Sequence, residues 1–133
     1  MKYRLISQEH IMGCSVACVA SLLGISYKKS LKLFNKKYVF TRGYYLKDIV
    51  LALKKKRIIY NYSKVNDKNK KHLKIPGTIV FIKRSKKYSA GHYLLKTNKG
   101  WMNSWINYPE INSKAGFNKK LLGESQWILY KIK

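Results

Sequence analysis

The sequence predicts an α+β fold, with N-terminal helices packed on a C-terminal antiparallel β-sheet. Two observations carry this. Apolar residues recur at helical spacing up to about residue 56, and from residue 58 onward they fall in short strand-like runs. The helical segments come first and the strands afterwards, an order that gives segregated layers rather than β-α-β units. At 133 residues, with neither repeat nor linker, residues 1–133 read as one domain.

The elements follow in order. Met1 to Gly13 is a lead-in and loop. Cys14 to Leu23 is a helix of small and apolar residues, stopped by Gly24 in the C′ position. It is apolar nearly all round, so it is a central buried helix. Ser26 N-caps a shorter helix, Tyr27 to Phe34. Arg42-Gly43-Tyr44 is a turn. A third helix, about Tyr45 to Lys56, turns Leu46, Ile49, Val50 and Leu53 to one face. Ile58 to Tyr62 reads as a strand, Lys64 to Lys74 as a charged loop, and Thr78 to Ile82 as a buried strand. Lys83 to Ser89 is a basic hairpin turn. His92 to Thr97 and Trp101 to Trp105 are strands joined at Asn98-Lys99-Gly100, whose composition suits a tight turn. This puts residue 95 opposite 103, with 92 diagonally further along. Phe117 to Leu122 is expected as a helical turn and Trp127 to Ile132 as the last strand.

The charge is extreme: 29 Lys and Arg against 5 Asp and Glu, a net +24. Such a surface binds polyanions non-specifically at low salt. The cations are nearly all Lys, with four Arg (Arg4, Arg42, Arg57, Arg84). A reader of DNA sequence favours Arg, whose planar fork matches phosphate and guanine. No stretch reaches the roughly 20 apolar residues of a membrane span, and Met1 to Ser7 is not a signal peptide. A cytoplasmic location, or export without such a signal, is the expectation. Cys14 and Cys18 stand one helical turn apart, which does not suit a disulfide. Two thiols and three scattered His make no zinc pattern.

Four residues carry chemistry. Cys14 opens a helix, where unpaired N–H groups and the helix dipole favour a thiolate. His92 begins a later strand and would serve as its base, forming an ion pair that lowers the thiol pKa. Gly91 beside it would let another backbone come close. Asn103, on the next strand, would hold the far ring nitrogen and fix the tautomer. Gln8, in the loop before the helix, would join the Cys14 N–H in holding a tetrahedral oxyanion. His10 and His72 read as solvated. Trp101 and Trp105 read as core, or as a cover over the His–Asn pair.

Gln8 six residues before a helix-opening Cys14, then Gly91-His92, then Asn103-Ser104-Trp105, resembles the papain-like cysteine peptidases. The segment Gly13 to Gly24 and the run from Ile75 to Leu95 resemble still more the C39 peptidases, domains that process bacteriocins by cutting leader peptides after a double glycine. The resemblance implies the papain-like fold and a cysteine peptidase of peptide or protein substrates that needs no cofactor, and the basic runs at 54–57, 68–74 and 83–87 would steer an acidic substrate toward the cleft. It implies Cys14 as nucleophile, His92 as base, Asn103 as orienter and Gln8 in the oxyanion hole. Gly13 and Ser15 stand where C39 domains usually have Asp and Gly, and Asn103-Ser104 stands where they have Asp-Pro. Those departures bear on leader specificity more than on the chemistry. Transfer or deamidation of an amide would use the same residues. Two other readings are a basic nucleic-acid-associated protein and an inactive, peptide-binding relative.

Overall fold

Seven consecutive residues of the first helix, Ser15 to Ser21, are buried, and the rest of the fold is arranged around it. The computed structural model describes residues 2–132. Helices α1 (Cys14–Leu23), α2 (Tyr27–Leu31) and α3 (Leu46–Lys54) precede the sheet, with a 3-10 turn at Lys36–Phe40. The strands are β1 (Tyr60–Lys64), β2 (Ile79–Ile82), β3 (His92–Thr97), β4 (Gly100–Asn103), β5 (Gly116–Asn118) and β6 (Ser125–Lys131). They form one six-stranded sheet in the order β1-β6-β2-β3-β4-β5, with every pairing antiparallel.

Helix α1 has the predicted ends. Gly24 adopts φ 68° and donates its N–H to the Ala20 and Ser21 carbonyls, closing the last turn. Two buried hydroxyls of this helix layer bond to backbone: Ser21 Oγ donates to the Arg4 carbonyl at 2.6 Å, and Ser30 Oγ to the Val16 carbonyl at 2.8 Å. Ser26 caps α2 by accepting from the Lys29 N–H at 3.2 Å. Val16, Val19, Ile49 and Leu53 pack with Ile79, Leu95, Met102 and Leu129 between helices and sheet. The opposite face of the sheet carries a second cluster of Val80, Ile82, Tyr88, Leu94, Trp101 and Ile128. Both faces of β2 and β3 are therefore covered, which is why these strands read as continuous apolar runs.

Four expectations need correction. The first strand begins at Tyr60 rather than Ile58: the end of α3 uses the preceding residues, with Arg57 at φ 61° and the Ile58 N–H bonded to the Leu53 carbonyl at 3.1 Å. The stretch expected as a helical turn at 117–122 instead opens with β5, which pairs with β4 and satisfies a backbone edge that would otherwise be bare. The charged loop contains a 3-10 turn at Lys70–Lys74. In the β3–β4 hairpin the turn holds two residues rather than three, so Thr97 faces Gly100 and Leu95 faces Met102.

That one-residue difference matters. Side chains alternate between faces along a strand, so Leu94 and Trp101, both in the outer cluster, mark one face. His92 and Asn103 share it by parity. One step beyond the last pair, Asn103 comes level with Leu94, and His92 lies diagonally two residues on, within reach.

Candidate active site

A cleft with a volume of about 780 Å³ runs across the start of α1 and the start of β3. Gln8, Cys14 and His92 all line it, together with Ser15, Tyr88, Gly91 and Trp105. Asn103 stands behind His92, 1% exposed. The four residues singled out from sequence thus converge on one place.

Cys14 is the first residue of α1, and its thiol is free and partly exposed. Strand β3 passes directly beside it, since the Tyr93 backbone N–H points at the sulfur, as do those of Cys14 and Ser15. These donors favour a thiolate, yet burial outweighs them and pushes the thiol up to about 11. Burial also acts on His92, which is 5% exposed, and lowers its pKa to about 4 against the support of Asn103. The expected resting ion pair is therefore disfavoured. Burial thus favours the neutral form of each group.

The tautomer follows from hydrogen bonding. The Trp105 backbone N–H, which can only donate, lies 3.1 Å from Asn103 Oδ1. That fixes the orientation of the amide: Oδ1 must face the donor. The same Oδ1 lies 2.8 Å from His92 Nε2, so Nε2 carries the proton and donates. Nδ1 keeps its lone pair. Asn103 is completed by Nδ2, which donates to the Tyr88 hydroxyl at 3.2 Å.

Gln8 is 2% exposed and fully engaged. Its Nε2 donates to the His10 carbonyl at 2.9 Å and the Ile11 carbonyl at 3.0 Å, which occupies both amide hydrogens. Its Oε1 accepts from Ser104 Oγ at 2.7 Å, and its backbone N–H donates to the Ser104 carbonyl at 3.1 Å. The loop before α1 is thereby tied to the residue after Asn103. Nothing in the sequence assigned Ser104 this part, although it sits inside the quoted Asn-Ser-Trp triplet.

Two glycines are required. Gly91 adopts φ 78°, and a Cβ there would lie 2.1 Å from the Phe81 ring. The close neighbour is thus an aromatic side chain, not the backbone expected. Gly13, before the nucleophile, leaves room for the Tyr27 hydroxyl, 1.9 Å from where a Cβ would sit. That hydroxyl also meets His10 Nδ1 at 2.9 Å, and the His10 ring packs against Tyr27 and Phe40. His10 is therefore a packed member of the loop rather than a solvated one. His72 likewise stacks on Tyr130, with centroids 4.2 Å apart.

Tyr88 was hidden by its context. It stands in the run read as a basic turn, yet it is buried and its ring lies parallel to His92, with centroids 4.4 Å apart and planes 5° apart. An aromatic residue alone within a lysine-rich loop was the available signal.

No protein-family model matches the chain, and no curated protein matches it in sequence. Among solved structures, the peptidase domain of Streptococcus ComA, a bi-functional ABC transporter involved in quorum sensing, has the same fold. The TM-score is 0.63, at 18% identity over 98% of each chain. The likeness agrees with the C39 resemblance noted in the sequence.

Proposed function

We propose that this protein is a cysteine peptidase that cleaves a peptide bond through a thioester on Cys14. The observation that carries the reading is the ordered chain at the cleft: a helix-opening thiol, an imidazole with a free Nδ1, and an amide that fixes its tautomer. Attack and deprotonation are coupled, since burial favours the neutral form of each group. The Cys14 proton passes to His92 Nδ1 as sulfur bonds to the carbonyl carbon. The imidazolium then protonates the leaving amine, and water attacks the thioester with His92 again as base. Asn103 Oδ1 holds Nε2–H throughout. The Cys14 N–H is one donor for the oxyanion. Gln8 supplies the second by exchanging one of its two carbonyl bonds for the developing charge.

The substrate is a peptide, and a leader peptide is the natural class for a domain of this kind. Among the described residues, Arg42, Lys83 and Arg84 line the cleft, and no Asp or Glu does. Arg42 is paired with Asp48 at 3.3 Å and Lys83 loosely with Glu124 at 3.8 Å, leaving the wall positive. Acidic residues flanking the scissile bond are favoured. Raising salt from about 50 to about 500 mM should raise KM for an acidic peptide roughly three- to tenfold, while a neutral analogue changes little. Equal salt dependence for both would remove the charge preference.

Intact-mass analysis of the protein mixed with a peptide library tests the main reading. An acyl adduct that maps to Cys14 and disappears as cleaved peptide accumulates supports it. Binding without adduct or cleavage leaves a peptide-binding protein of the same fold.

A further inference from the structure

Resting on the peptidase reading, we propose that Tyr88 is a positioning residue for the catalytic base, its ring holding one face of His92 and its hydroxyl holding the amide of Asn103. One side chain thereby grips both members of the pair. The ring lies parallel to the imidazole with centroids 4.4 Å apart, and the hydroxyl accepts from Asn103 Nδ2 at 3.2 Å. With the Asn103 amide held from its nitrogen end and Oδ1 held by the Trp105 N–H, the amide cannot flip, and the His92 Nε2–H keeps its acceptor.

Tyr88 is itself held rigidly. Its backbone N–H donates to Ser85 Oγ at 3.1 Å, and its carbonyl accepts from the Ser85 N–H and the Gly91 N–H, both at 2.9 Å. Behind the ring lie Tyr108, with centroids 5.6 Å apart, and the Lys87 ammonium, 5.6 Å from the ring centre. The charged and titratable groups around His92 are thus Cys14, Tyr88 and Lys87, with Lys87 opposing a second positive charge. A π face against the imidazole supports the imidazolium that forms during the reaction. It also keeps water from competing for the His–Asn hydrogen bond.

The test is the chloroacetamide alkylation rate of Cys14 against pH, read by mass spectrometry, for wild type, Tyr88→Phe, Tyr88→Leu and His92→Ala. Cys18 is fully buried and stays out of the readout. Tyr88→Phe keeps the ring and should cost only about two- to fivefold in rate, the share of one neutral hydrogen bond. Tyr88→Leu should cost about ten- to a hundredfold through loss of orientation. It should also move the acid limb of the profile upward toward the ordinary histidine value of 6.5, because water reaches the ring. Thermal melts run beside the rates. A Leu variant that melts lower but keeps the wild-type rate and acid limb reduces Tyr88 to a core residue and overturns the proposal alone. A His92→Ala profile identical to wild type overturns both it and the peptidase reading.

Discussion

Replacing His92 with Ala should lower peptide turnover by roughly 10²–10⁴-fold, the usual worth of a positioned general base. It should also change how the Cys14 thiol responds to pH. In the wild type, thiol and imidazole together hold one transferable proton between about 4 and about 11, whichever of them carries it. The His92-assisted route to alkylation of Cys14 should therefore give a plateau over the acid part of that range, falling below about 4 as His92 becomes protonated. Without the imidazole, burial alone governs the thiol, and the rate should climb about tenfold per pH unit toward about 11. The two profiles diverge most at the acid end of that range, where the variant rate has fallen furthest. Asn103→Ala should fall between them, since it leaves the base in place and frees its tautomer. A wild-type rate with no plateau below neutral pH, rising in step with that of His92→Ala, would mean that Cys14 acts as an ordinary thiol, and the enzyme reading would fail with it.

The contrast between a flat and a rising profile depends on something the sequence could not disclose. A Cys at a helix start beside a His looks like an ion pair on paper, because the dipole and the imidazole are both visible in the order of residues. Desolvation is not visible there. It comes with the burial of His92 against the Tyr88 ring, which is complete only when the sheet is assembled. Local patterns were legible for the same reason: α1 has both of its predicted ends, since Gly24 and the apolar run act within ten residues. The β3–β4 register was missed by one residue because Gly100 can serve as turn or strand, and its pairing with Thr97 decides which. The strand at Gly116–Asn118 was missed because its own residues barely favour it; the open edge of β4 recruits it. Gln8 was found from its spacing to Cys14, yet the partner that ties it down, Ser104, lies 96 residues away and is set by tertiary structure.

Holding a histidine neutral in a buried site has a thermodynamic consequence, which supplies a second test independent of any substrate. The ordinary histidine pKa is 6.5, and burial lowers that of His92 to about 4. Between these values the unfolded chain binds a proton at this residue and the folded chain does not, so stability rises with pH across the window and is lost as pH falls through it. At 1.36 kcal/mol per pKa unit, the full loss from His92 is about 3 kcal/mol, largely complete near pH 4. Above pH 6.5 it contributes no slope. Urea unfolding of the wild type and His92→Gln at several pH values isolates this contribution, because His10, His72 and all five acidic residues are common to both proteins. His92→Gln is expected to lose about 3 kcal/mol less than the wild type on going from pH 7 to pH 4. Parallel losses in the two proteins would mean that water reaches the imidazole in solution. The base would then be an ordinary histidine, the resting pair could ionise, and the flat alkylation profile would begin near pH 6 instead of near pH 4. The stability difference and the acid limb of the chemistry must therefore move together, since both report the same proton on the same ring.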